Sequence, residues 1–124
     1  MSARLQINFQ LGDIPLASVY HHTGGEFVRD IEATMNQFID ALKDLPDNRW
    51  GDASYLAAKY VVWAAWGGQD ADSRLDFLGV GVTTPELGEQ MTDATVVIDC
   101  SQAFGTYRIV RAIDVEIARE VYRV

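Results

Sequence analysis

The sequence predicts an α+β fold: a mainly antiparallel sheet of about five strands in the order ββααβββ, two helices packed on one face, and a short C-terminal helix or strand. Apolar residues alternate at period two near the N-terminus and again beyond residue 75, whereas the block between carries helical periodicity and capping signals. Strand runs set apart from a helical block indicate helices segregated to one side of a sheet rather than alternating βαβ units. The 124 residues are expected to form a single domain, 1–124, long enough to bury roughly two thirds of its unfolded surface.

Residues 4–10 place Leu5, Ile7 and Phe9 against polar neighbours, the pattern of a half-buried strand. Gly12-Asp13 turns the chain into a second strand over 14–22, with Pro15 favouring an edge position or a late start. Thr23 and Glu26 have the spacing of a capping box. Behind them Phe27, Ile31, Met35, Phe38, Leu42 and Leu45 recur every three or four residues, so a helix with one apolar face is expected up to Pro46. The next helix, 52–68, has almost no polar face. Lys59 is its only charge after Asp52, which with Ser54 is a candidate cap, and Gly67-Gly68 closes it. A helix apolar all round is expected to be buried all round, with Leu56, Tyr60 and Trp63 packed on Phe27, Ile31 and Phe38.

Residues 69–74 read as a loop and 75–84 as a strand whose Phe77, Gly79 and Gly81 face is nearly bare. Residues 85–93 read as a loop with room for one helical turn, and strands follow over 94–100 and 106–113. The tail from Asp114 fits either period. Ile113, Ile117, Val121 and Val124 favour a short helix.

A net charge of −8 excludes general nucleic-acid binding, because it repels phosphate backbones. The acid is concentrated. Residues 26–52 hold seven acids against three bases, and residues 70–93 six against one. Such a surface serves solubility or meets a basic partner. No apolar run reaches the ~20 residues of a membrane helix, MSARLQINF does not resemble a secretory signal, and a lone Cys100 fits a reducing compartment.

No motif for catalysis, metal or phosphate binding is present. His21 and His22 are adjacent on a strand and point to opposite faces, so they cannot chelate one ion together. Cys100 closes an apolar strand beside Asp99, which opposes thiolate formation. Gly79-Val80-Gly81 lacks the third glycine and the helix of a dinucleotide loop. No cofactor or metal is expected.

Tyr20, His22 and Gly25, then Tyr55-Leu56-Ala57-Ala58, then the valine-rich strand ending in Asp99-Cys100 form a recurring pattern: a hairpin with a Tyr-x-His turn, a helix pair with a Leu-Ala-Ala element, and a strand meander. In this the chain resembles a group of small proteins encoded by tailed bacteriophages and prophages, over most of its length. An aspartate often precedes the turn glycine in that group, where this chain has Gly24. The resemblance implies phage origin and action in the host cytoplasm, and carries no activity with it.

The expected function is therefore non-enzymatic: binding of a host or defence protein through an acidic helix face bearing Asp30, Asp40 and Asp44. One alternative is binding of a small nucleotide-like anion by Tyr20, His22, Tyr107 and Arg108. Another is an enzyme using Cys100 with a histidine. A homo-oligomer is compatible with each.

Overall fold

The computed structural model describes residues 3–25, 27–66 and 79–112, and the backbone of 119–122. The chain runs β1 (Leu5–Leu11), β2 (Ile14–His21), α1 (Val28–Lys43), α2 (Ala53–Trp66), β3 (Val80–Thr83), α3 (Pro85–Met91), β4 (Ala94–Asp99), β5 (Thr106–Arg111) and β6 (Arg119–Tyr122). The strands form one six-stranded sheet in the order β3-β2-β1-β4-β5-β6. All neighbours are antiparallel except the central pair, β1 with β4, which is parallel from Leu5↔Ala94 to Gln10↔Asp99. The fold is thus α+β with a mostly antiparallel sheet, as the sequence predicts.

Pro15 behaves as its chemistry requires. It stands opposite Gln10 at a register shift, and β3 pairs only with Ser18–His21, so the Pro15 end of β2 has no outer neighbour.

α1 and α2 cover one face of the sheet. Leu5, Ile7 and Phe9 of β1, Val96 and Ile98 of β4, and Tyr107 and Ile109 of β5 meet Ile31, Met35, Phe38, Ile39 and Leu42 of α1, and Leu56 and Tyr60 of α2, in one continuous apolar core. The Tyr60 ring lies at its centre, 4.8 Å from Phe38 edge to face and 5.9 Å from Phe9, centroid to centroid. Burying a side chain of this size contributes about 1.5–3 kcal/mol, and such aromatic pairs add about 1 kcal/mol. Trp50, in the loop between the two helices, ties that end of the layer to the sheet: its indole N–H donates to the Gln102 carbonyl at 2.9 Å.

Four expectations are corrected. α1 does not start from a Thr23–Glu26 capping box. Its N-cap is Phe27, which has no side-chain cap bond and whose carbonyl accepts from the Asp30 and Ile31 amides at 3.0 and 3.1 Å. Residues 24–25 are used otherwise. Gly24 takes φ 92°, and the Gly25 amide donates to the Ala3 carbonyl while passing so close that a Cβ would lie 2.8 Å from the Arg4 carbonyl oxygen. A chain pinned along β1 cannot begin to coil there; Glu26 itself lies outside the described residues. Phe27 is consequently 44% exposed rather than in the core.

α2 is not buried all round. Leu56, Ala57 and Tyr60 are, but Tyr55 is 49% and Val62 56% exposed, and Trp63 is only partly buried. Of its two candidate caps, Asp52 is the one used: it accepts from the Tyr55 amide at 3.2 Å. Residues 85–93 contain a seven-residue helix, α3, capped by the Thr84 hydroxyl accepting from the Leu87 amide at 3.2 Å, with Pro85 in the first turn. Within the tail, Arg119–Tyr122 is a strand and not a helix, because β5 has an open edge to pair and the Thr106–Ile109 backbone takes it. The predicted loop 69–74, the first half of the predicted strand 75–84 and the Gly67-Gly68 cap lie outside the described residues.

Candidate functional site

Strand alternation distributes the predicted ligand residues over both faces of the sheet. Tyr107 points to the helix layer, 1% exposed, and its hydroxyl donates to Asn36 Oδ1 of α1 at 2.9 Å. Arg108, one residue on, belongs to the opposite face. Tyr20 shares that opposite face, but three strands away, more than about 14 Å: its row runs Gly81, Tyr20, Gln6, Thr95, Arg111, whereas Arg108 pairs with Val97. Its ring fills the space over Gly81, where a Cβ would come within 2.7 Å of it, and lies 5.6 Å from the His22 ring, tilted by 50°. The His22 amide donates to the Gly79 carbonyl. The structure therefore brings Tyr20 and His22 together, sets Arg108 apart from them, and gives Tyr107 to the core.

His21 points the other way, as adjacency on a strand demands, and hydrogen-bonds through Nε2 with the Tyr60 hydroxyl. Burial, with a smaller contribution from His22, lowers the His21 pKa to about 4; burial raises that of Tyr60. At neutral pH both partners are uncharged, so a polar pair sits in the core without an ion.

Cys100 is 5% exposed and part of the core. Burial first, then the charges of Asp99 and Asp52, push its thiol up to about 11. It is a protonated thiol near neutrality, unsuited to nucleophilic attack. Burial alone would raise the neighbouring Asp99 carboxyl, but hydrogen bonds from the Ser101 hydroxyl and amide and from the Gly12 amide hold it below the usual carboxylate range.

The three acids predicted to meet a partner lie along α1. Asp30 is 3.9 Å from Arg29 Nε and Asp40 3.8 Å from Lys43 Nζ, loose pairs between exposed side chains that contribute little to stability. Asp44 is the helix C-cap. The α1–α2 seam opens into an apolar groove of about 430 Å³, lined by Phe38, Leu42, Leu45, Tyr55, Val62 and Trp63 among others. The groove was hidden in the sequence, because nothing in an all-apolar helix says which side its neighbours leave uncovered.

The second sheet face is also more than a solvated surface. α3 packs over β1 and β2, and there Gln6 is fully buried. Gln6 Nε2 donates to the Pro85 carbonyl at 3.0 Å and to Asn8 Oδ1 at 2.9 Å, and Ser18 Oγ donates to the same Asn8 oxygen at 2.5 Å. Beyond α3, over β4 and β5, the face opens into a polar cleft of about 390 Å³ lined by Arg108, Arg111 and, from α3, Glu89. Among the described residues no cluster of three or more His, Cys, Asp or Glu could hold a metal ion, and no helix is long and apolar enough to cross a membrane.

No family model matches this chain, and no curated protein or solved structure shows significant similarity to it.

Proposed function

We propose that this chain is a phage-encoded accessory protein that acts without catalysis, in the host cytoplasm, by holding a basic amphipathic helix of a host or defence protein in the groove between α1 and α2. The observation that carries this is the uncovered side of α2. Tyr55 and Val62 are about half exposed and, with the 43%-exposed Leu45, line one apolar groove. A contiguous apolar surface left open on a folded domain marks an interaction site, and a channel between two helices suits a third, read through anchors at i, i+3, i+4 and i+7. Asp30, Asp40 and Asp44 lie along α1, whose Phe38, Ala41 and Leu42 line the groove, and make that helix acidic on its outer surface. Their contribution is to steer and orient a basic partner more than to hold it. The phage assignment rests on the Tyr20, His22, Gly25 and Leu56-Ala57-Ala58 pattern.

The test uses a synthetic leucine–lysine amphipathic peptide of about five helical turns and its leucine–glutamate counterpart, followed by the fluorescence of Trp63 in the groove and by calorimetry. The lysine peptide is expected to bind and the glutamate peptide not. Val62→Asp, at an exposed position, should abolish binding with an unchanged Tm, and Asp40→Lys with Asp44→Lys should slow association by about tenfold. Equal binding of both peptides, or binding that survives Val62→Asp, contradicts the proposal.

A further inference from the structure

We propose that the polar cleft on the second sheet face, over β4 and β5, binds a small organic anion through the Arg111 guanidinium. The site is distinct from the α1–α2 groove, which lies on the other face, and does not depend on it.

Arg111 is fixed before any ligand arrives. Its Nε and Nη2 donate to Thr95 Oγ1 at 3.3 and 3.1 Å, and Nη2 also donates to Thr92 Oγ1 at 3.0 Å. The Thr92 hydroxyl in turn donates to the Gly88 carbonyl at 2.7 Å, so α3 helps to hold the cation. These neutral acceptors orient the planar group without neutralising it. Among the described residues, Arg29, Lys43 and Arg49 each lie within 4.0 Å of a carboxylate, but neither Arg108 nor Arg111 does. In a chain with eighteen acids and ten bases, a half-buried guanidinium held through Nε and Nη2 by hydroxyls alone leaves its charge uncompensated and its Nη1 donors for a carboxylate or phosphate oxygen. Arg108 adds a second positive charge on the same wall and Glu89 of α3 an exposed negative one, so the orientation of Arg111 by Thr92 and Thr95 singles it out for the contact.

The rest of the cleft specifies more than a bare ion. Val97, 6% exposed, provides an apolar floor. Asn8 presents a defined end. Gln6 Nε2 must be the nitrogen because the Pro85 carbonyl can only accept; hence the Asn8 atom that accepts from Gln6 is its oxygen. The Asn8 amide nitrogen, with two N–H donors, is thereby left for the cleft. At about 390 Å³ the volume falls in the lower range of small-molecule sites. An anionic head on Arg111, a compact body over Val97 and an acceptor towards Asn8 describe a small organic carboxylate or a phosphate monoester.

Thermal unfolding of the whole protein tests this with three probes, each at about 10 mM: 5′-AMP, citrate and inorganic phosphate, against sodium chloride of matched ionic strength. A probe present at ten times its Kd should raise Tm by about 4 °C. A rise with 5′-AMP alone identifies a phosphate-ester site, and a rise with citrate alone a carboxylate site. Arg111→Lys keeps the charge but loses the planar group that Thr92 and Thr95 hold in place, and is expected to reduce the shift at least threefold. Val110→Glu, at an exposed position lining the cleft, should remove the shift without disturbing the Arg111 hydrogen bonds. The proposal fails if no probe exceeds the chloride control, or if the shift persists in both variants.

Discussion

His21 carries the clearest pH signature in the chain. In the unfolded state its imidazole titrates near 6.5, whereas in the fold burial holds it near 4. A lowered pKa means that the unfolded chain binds a proton which the native state refuses. The associated stability is complete above about pH 6.5 and is lost progressively as pH falls towards 4, by at most about 3 kcal/mol. Urea unfolding at about pH 7 and pH 4.5 should show this loss in the wild type and a flatter profile in His21→Gln. If both proteins lose stability equally, carboxylates and not His21 set the acid limb. Much at this scale was readable in advance. That His21 and His22 diverge follows from the two-residue period of a strand, and the same period rules out the predicted grouping of Tyr107 with Arg108. The phenol that receives His21 is thirty-nine residues away on α2, and no local pattern connects the two.

Helix starts show where a sequence signal needs tertiary context. Thr23-x-x-Glu26 reads as an N-terminus and is not one, whereas Thr84, before a stretch that reads as a loop with room for one helical turn, is the cap of α3. The first fails because Gly25 is bound to the Ala3 carbonyl, and that backbone contact outweighs a cap of about 1 kcal/mol. Thr84→Ala should therefore destabilise by about 1 kcal/mol, while Thr23→Ala stays within about 0.5 kcal/mol. Chemical denaturation of the pair decides it, and the reverse ranking would restore the capping box. The apolar stripe of α1, the Asp52 cap of α2 and the strands of the N-terminal hairpin were legible because each depends on neighbours a few residues apart. The parallel β1–β4 pair joins segments some ninety residues apart, and the direction of such a pairing leaves no trace in either strand. The same holds for the buried Gln6. Alternation marks its face as polar, and only the placement of α3 shows that this face is covered.

Across the whole molecule the decisive quantity is how the charge of −8 is spread. The ion pairs of the described residues join exposed partners at 3.3–4.0 Å, a class that contributes little and is readily screened. Asp30 to Asp44 spans about 21 Å of helix, comparable with the screening length at low salt and about twice that at 0.1 M. Added salt thus removes more repulsion among the acids than attraction within the pairs. Raising sodium chloride from about 20 to about 300 mM should raise Tm by about 3–5 °C. Asp44→Lys should reproduce part of this gain at low salt and reduce the remaining salt dependence, since it relieves the same repulsion at its densest point. The groove proposal requires the same acids to attract a basic partner, so one field governs both effects: conditions that stabilise the free protein by screening should weaken its complex. A Tm that falls with salt would show that the surface pairs outweigh the repulsion, and would remove the electrostatic basis for a basic partner on α1.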